Sequence, residues 1–273
     1  MNYLDEIMKD DVPIITFDLL KNSGLVKHGF STRKGGVSNG YFSSMNLGVT
    51  RGDKEEAVKE NFRIIADKLK IPYDDMVLSS QTHTVNIRKV TSEDKGKGII
   101  RQKDYDNIDG LMTDIPGIPL VTFYADCVPL FFLDTRNKVI ALSHSGWRGT
   151  VNKMGLATVK AMEKEYGSRP EDIIACIGPS ICGSCYEVSS DVVDAFRESF
   201  NSEEMYCKKE NGKYRLDLWK ANEMVLSEAG IKKENIENRH ICTCCNSSYL
   251  FSHRATGGKR GNLGAFLMLV GDN

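Results

Sequence analysis

Three side chains able to bind a metal or assist attack on a substrate lie far apart in this chain. They are His83 in "SSQTHTVNI", Cys127 in "ADCVPLFFLD" and His144 in "SHSGWRGT". Cys127 follows an acid, Asp126, and the pair interrupts two apolar runs, 118–124 and 128–133. A thiol among hydrophobes is most often a small buried packing group. The neighbouring carboxylate weighs against packing alone, because an ionised acid is costly to bury without partners. Two chemical roles fit: a nucleophile activated by an imidazole, or one ligand of a zinc ion whose other ligands are histidines.

The elements that carry these residues decide whether they can meet. Between the apolar runs 129–133 and 138–143 stands "DTRN", a polar turn. A hairpin symmetric about Thr135–Arg136 sets Asp134 opposite Asn137 and Cys127 opposite His144. Opposed β-carbons of an antiparallel pair lie about 4.5–5.5 Å apart, which suits two ligands of one ion or a thiol–imidazole pair. Pro129 implies an edge position or a break in pairing. His83 follows the short apolar run 76–78, and period-2 alternation puts Gln81 on its face. Together the three form a two-histidine, one-cysteine set with a fourth tetrahedral position open, as in catalytic zinc sites.

Elsewhere, Asp53 is expected to cap a helix over "KEEAVKENFRIIADKLK". A second helix is expected over 149–167, "GTVNKMGLATVKAMEKEYG", and a third over 217–230, from a capping Asp217 to a stopping Gly230. Strand-like runs cover 25–30, 77–80, 85–90, 118–124, 129–133, 138–143, 173–177, 237–241 and 263–270. They cluster without βαβ alternation, so the expected class is α+β with a mixed, largely antiparallel sheet and flanking helices. No repeat or linker divides the chain, and a single domain over 1–273 follows. The polar stretch 93–109 reads as a surface loop.

A formal net charge of -1 gives no long-range attraction for nucleic acid or an anionic membrane. The longest apolar region, 118–133, is broken by Asp126 and two prolines and falls short of a membrane span. The acidic start "MNYLDEIMKDDVPIITF" lacks the pattern of a signal peptide. Eight cysteines in such a chain read as reduced thiols of the cytoplasm, and the cluster Cys242, Cys244 and Cys245 reads as structural.

"QTH" (81–83), "ADCVPLFFLD" (125–134), "SHSGWRGT" (143–150), "IGPSICGSCYEV" (177–188) and "FSHRATGGKRG" (251–261) resemble, in order and spacing, the YfiH/YlmD laccase-domain or "polyphenol oxidase" family of purine nucleoside phosphorylases. "STRKGGVSNGYFSSMNLG" (31–48) is similar to its N-terminal signature. The resemblance implies an α+β fold similar to that of a toxin with a Cys–His deamidase site. It implies a zinc ion held by His83, Cys127 and His144, with copper the less favoured metal. It also implies phosphorolysis of adenosine, inosine, guanosine and methylthioadenosine to base and ribose-1-phosphate, together with adenosine deamination. Copper oxidation of phenols is poorly supported, because multicopper oxidases need many histidine ligands and this chain has five.

Such a reaction needs an anion site, contacts to ribose and base, and an acid–base group. The residues expected to provide them are Arg33, Arg148 and Arg254 for phosphate, Asn46 and Gln81 for ribose or base, and Asp126 for proton transfer. The start of the helix expected at Gly149 adds backbone N–H groups for phosphate. The H-x-E signature of nucleobase deaminases is absent, and "CGSC" (182–185) lacks its preceding proline. After "FSH" the chain reads Arg254-Ala255-Thr256, where the family usually has a second arginine and an acid. The expected partners are purine nucleosides and phosphate. Competing readings are a Cys127–His144 hydrolase or amidase, a binding protein for nucleotides or peptidoglycan precursors with a closed structural zinc, and a copper phenol oxidase.

Overall fold

The computed structural model describes residues 3–271; Met1, Asn2, Asp272 and Asn273 of the domain expected over 1–273 lie outside the described residues. Apolar side chains on alternate sides of two strand layers build four layers in all, helix, sheet, sheet and helix. One sheet runs, in spatial order, Ile14–Ile15, Val26–Ser31, Leu263–Leu269, Leu120–Tyr124 and Val77–Leu78. The other runs Ile236–Asn238, Ile173–Ile177, Val128–Asp134, Val139–Ser145, Gly110–Thr113 and Ile87–Lys89. Most pairs are antiparallel; the parallel ones lie at sheet edges, such as Val77–Leu78 on Leu120–Tyr124. A small third sheet joins Glu187–Val188, Tyr214–Leu216 and Tyr206–Lys208.

The period-2 pattern explains the layering. On Val128–Asp134, residues Val128, Leu130 and Phe132 pack toward helices Met154–Tyr166, Ser190–Ser199 and Leu218–Glu228. Phe131 and Leu133 face the other sheet, where they join Phe30, Tyr124, Ala265 and Leu267. On the far side of that sheet, Val121, Phe266 and Met268 meet Val58, Phe62 and Ile65 of helix Glu55–Leu69. Phe131 is fully buried against Phe17, with ring centroids 5.0 Å apart. Phe131→Ala should therefore cost about 3–5 kcal/mol in urea unfolding, whereas Ile100→Ala, at a side chain 53% exposed, should change stability by less than about 0.5 kcal/mol. Equal effects would contradict the two-sheet core.

The α+β class holds, and each of the nine expected strand runs overlaps a strand, the run 237–241 by only two residues; the strands Gly110–Thr113 and Ile14–Ile15 and the small third sheet were not expected. Three local expectations are corrected and a fourth, at Pro129, is met in one of its two forms. The hairpin pairs Asp134 with Val139 and Pro129 with His144, so partners' register is displaced by two and Cys127 stands outside the strand. Asp134 causes this: its Oδ1 accepts the amides of Arg136 and Asn137, and Lys138 turns at φ 53, which makes a loop of 135–138. Pro129 lies in an interior strand and not at an edge, and the expected break in pairing is present on one side, where the ladder to Ile173–Ile177 stops at Leu130. Asp53 does not cap the helix that follows; its carboxylate holds the Lys54 amide and the Asn46 side chain, and Lys54 is the cap. The helix expected over 149–167 is two, Trp147–Val151 and Met154–Tyr166, separated by Lys153 at φ 58. No helix among the described residues is long and apolar enough to cross a membrane.

Candidate metal centre

The chain leaves one sheet at Tyr124 and enters the other at Val128, and 125–127 make the crossing. This is why an acid and a thiol interrupt an apolar run. Asp126 turns at φ 90, a conformation that L residues adopt only when held. Its Oδ1 accepts the Thr243 hydroxyl at 2.6 Å and its Oδ2 the Arg254 amide at 2.7 Å, while its carbonyl accepts the Ile181 amide. Cys127 thereby projects at the mouth between the sheets.

His144, next to last in its strand, lies on the inter-sheet face beside Tyr124, with ring centroids 5.5 Å apart. His83 reaches the same point from a loop, not from a strand face. It stands at φ 68, so the alternation linking it to Gln81 does not apply. The cause is Asp109, fully buried at the start of Gly110–Thr113. The amides of Thr82, His83 and Thr84 and the Thr84 hydroxyl all donate to its carboxylate at 2.8–3.0 Å. The loop is wrapped around one anion, which compensates the strained φ.

The Asp109 Oδ1 also holds His144 Nδ1 at 2.8 Å. With Nδ1–H donating there, Nε2 is the ring nitrogen left for Cys127, His83 or a cation. Burial opposes a charge on Asp109, but the His144 contact and the loop amides outweigh it and hold the carboxyl at about 2. Burial likewise opposes charge on Cys127 and His144; their mutual attraction prevails, bringing the thiol down to about 6 and the imidazole up to about 9. Cys127 Sγ stands 4.0 Å from His83 Nε2, and the ligand atoms of all three residues lie within 4.8 Å of one another.

This donor set fits a metal ion. Two imidazole nitrogens and a polarised thiol sulfur converge, and a carboxylate orients one imidazole from behind, the arrangement typical of metal-bound histidine. Gly146 is required by the same crowding: a β-carbon there would lie 2.9 Å from His83 and 3.0 Å from Cys127 Sγ. His28, His240 and His253 stand outside this set. His28 is buried with its Nε2 accepting the Phe17 amide.

The centre opens on a cavity of about 390 Å³, lined by Gln81, Phe123, Tyr124 and Ser80 together with three cations, Arg51, Lys103 and Arg260. The polar stretch 93–109 is mostly loop but not idle, since Lys103 and Tyr105 hydrogen-bond the carbonyls of Ser79 and Leu78. Of the side chains expected at substrate, Gln81 lines the cavity, but its amide is spent bridging the Phe123 backbone on both sides. Asn46 is fully buried and bonded to Gly48, Asn262 and Asp53. Arg33 grips the carbonyls of Ser43 and Ser247 and stacks on Phe251. Arg148 stacks on Trp147, and Arg254 holds the carbonyls of Cys185 and Glu187. No long helix starts at Gly149 to attract phosphate, since the short helix there begins at Trp147. Asp109 and the cavity cations Arg51 and Lys103 escaped the sequence reading; an acid directly before an apolar tetrad is the sole local sign of Asp109.

A family model described as "Multi-copper polyphenol oxidoreductase laccase" matches residues 27–270. The chain is 37% identical to "Purine nucleoside phosphorylase YlmD" of Bacillus subtilis, over 90% of each chain. It is 34% identical to "Adenosine deaminase RL5" of an unknown prokaryotic organism, over 84% of this chain and 88% of that one. Among solved structures, "hypothetical protein YfiH" of Bacillus licheniformis superposes with a TM-score of 0.86 at 37% identity, covering 89% of this chain and 92% of that one. These likenesses support an enzyme. The chain belongs to the YfiH/YlmD laccase-domain family, whose relatives carry the name purine nucleoside phosphorylase.

Proposed function

We propose that this protein is a zinc-dependent purine nucleoside phosphorylase with adenosine deaminase activity. The observation that carries the reading is a His83–Cys127–His144 donor set opening on a cavity with three cations on its wall. When bound, zinc supplies a Lewis acid and lowers the pKa of water at an open position. The protein's own residues do the rest. Asp109 keeps the His144 ring in one tautomer and orientation, and the loop around it fixes His83.

Arg51, Lys103 and Arg260 form the phosphate site in this reading. Arg260 Nε is buried without a partner. Burial first, and the neighbouring Arg51 second, push Arg260 down to about 10, and burial also lowers Lys103. A bound phosphate dianion relieves both penalties. Phosphate then adds to C1′ of the ribose as the bond to the purine breaks, giving base and ribose-1-phosphate. Arg33, Asn46 and Gln81 act as positioning residues, since their polar groups brace the segments around the cavity. Asp126 has the same role for the turn that presents Cys127.

Arg260→Gln should raise the KM for phosphate about 10- to 100-fold, the loss expected for one charge-assisted contact, and leave the nucleoside KM within about twofold. An unaltered phosphate KM would remove Arg260 from the site. The reading as a whole is tested by metal analysis of protein purified without added metal, followed by adenosine turnover with and without phosphate. Adenine and ribose-1-phosphate in the phosphate arm support it; inosine alone in both arms reduces it to a deaminase. A second reading also has an observation in its favour. Cys127, His144 and Asp109 line up as thiol, imidazole and carboxylate, the order of a thiol hydrolase, and activity that survives chelation would select it.

A further inference from the structure

Cys182, Cys185, Cys242 and Cys245 come from two segments 60 positions apart, and their four sulfurs lie within 4.8 Å of one another. Cys185 and Cys245 stand 3.4 Å apart. Each segment has the spacing C-x-x-C, "CGSC" and "CTCC". Neither is persuasive singly, but two such turns facing each other are the arrangement of a closed tetrathiolate site. A zinc–sulfur bond of about 2.3 Å sets tetrahedral sulfurs about 3.8 Å apart, near the 3.4 Å between Cys185 and Cys245 and inside the 4.8 Å that bounds the set. The turns are tight: the amides of Cys185 and Tyr186 donate to the Cys182 carbonyl, and that of Asn246 to the Cys242 carbonyl. The amides of Cys182 and Cys245 point at Cys242 Sγ, at 3.3 and 3.4 Å. All eight cysteines are free of disulfides, so the set is available to a cation.

The neighbours of these cysteines show what such a site would hold. Ile181, next to Cys182, donates its amide to the Asp126 carbonyl; Thr243, next to Cys242, donates its hydroxyl to the Asp126 carboxylate. The strained Asp126 turn that presents Cys127 is thus clasped by the two segments that the cysteines join. We propose that Cys182, Cys185, Cys242 and Cys245 bind a second, structural zinc ion that locks these segments together and so positions the Asp126–Cys127 turn. The site has four protein ligands and no open position, so it is distinct in kind from the centre at His83, Cys127 and His144 and does not depend on the reaction assigned there.

The test is metal analysis of full-length protein purified without added metal, in variants that separate the sites. His83→Ala/Cys127→Ser should retain one zinc ion per chain, and adding Cys185→Ser/Cys245→Ser should remove it. Two measurements do not require the quadruple variant to fold. Loading His83→Ala/Cys127→Ser with cobalt should give the intense thiolate charge-transfer and tetrahedral bands of a sulfur-rich site. Treating the same zinc-containing variant with a thiol-specific mercurial should release its one equivalent of zinc to a chromogenic chelator. The proposal is overturned if His83→Ala/Cys127→Ser is metal-free, if its metal is iron, or if its mass as isolated shows the hydrogen loss of disulfides among these cysteines.

Discussion

Cys127→Ser should abolish both phosphate-dependent cleavage and deamination of adenosine, by more than about 100-fold, the upper end of what loss of an outer-sphere partner costs a metal centre. The thiol is the one soft donor of its set, and the flanking imidazoles already draw it to about 6. A serine hydroxyl keeps the volume but holds its proton at neutral pH and makes a weak ligand. The melting temperature should stay close to that of chelated wild type, because the turn is fixed by Asp126, Thr243 and Ile181 and not by the sulfur. The measurement is paired: zinc content, and turnover before and after chelation of the wild-type enzyme. Loss of activity in Cys127→Ser with full activity in chelated wild type would assign the sulfur to nucleophilic attack and end the metal reading.

Asp109→Asn is the second large effect. The carboxylate receives five donors: the His144 ring, three consecutive amides and the Thr84 hydroxyl. An asparagine must turn its NH2 toward some of them, leaving buried donors without an acceptor at about 1–3 kcal/mol each. It also frees the His144 ring to adopt the other tautomer. Activity and zinc affinity should fall about 10- to 100-fold, as for other partners behind metal-bound histidines, and unfolding should occur at lower urea. Because Asp109 touches neither substrate nor metal in this reading, the informative quantity is the ratio: kcat should recover with added zinc while stability does not. Unchanged zinc affinity in a folded Asp109→Asn protein would sink the claim that this carboxylate organises the centre.

How much of this was legible in the sequence divides by distance along the chain. The nine strand runs and the helix from Asp217 to Gly230 follow from local pattern, because side-chain alternation and end caps act over a few residues. The helix broken at Lys153 and the loop of 135–138 did not, since single residues with positive φ decided them. The three metal-competent residues were named, although the register used to join His144 to Cys127 was displaced by two. The displacement was harmless because an even shift keeps a strand's faces, and because Cys127 reaches the centre from the crossing turn.

By itself the sequence determined nine strand positions and the helix that follows Asp217, and it singled out His83, Cys127 and His144, but it gave no sign of the strand Gly110–Thr113 or the helix Ser190–Ser199. Tertiary structure alone decided that Asp109 stands behind His144, that Arg51, Lys103 and Arg260 line the cavity, and that two unremarkable C-x-x-C turns face each other. The physical reason is that periodicity and capping are short-range properties of one segment. Charge pairing and ligand convergence depend on which segments the packed core brings together, and no residue announces its distant partner.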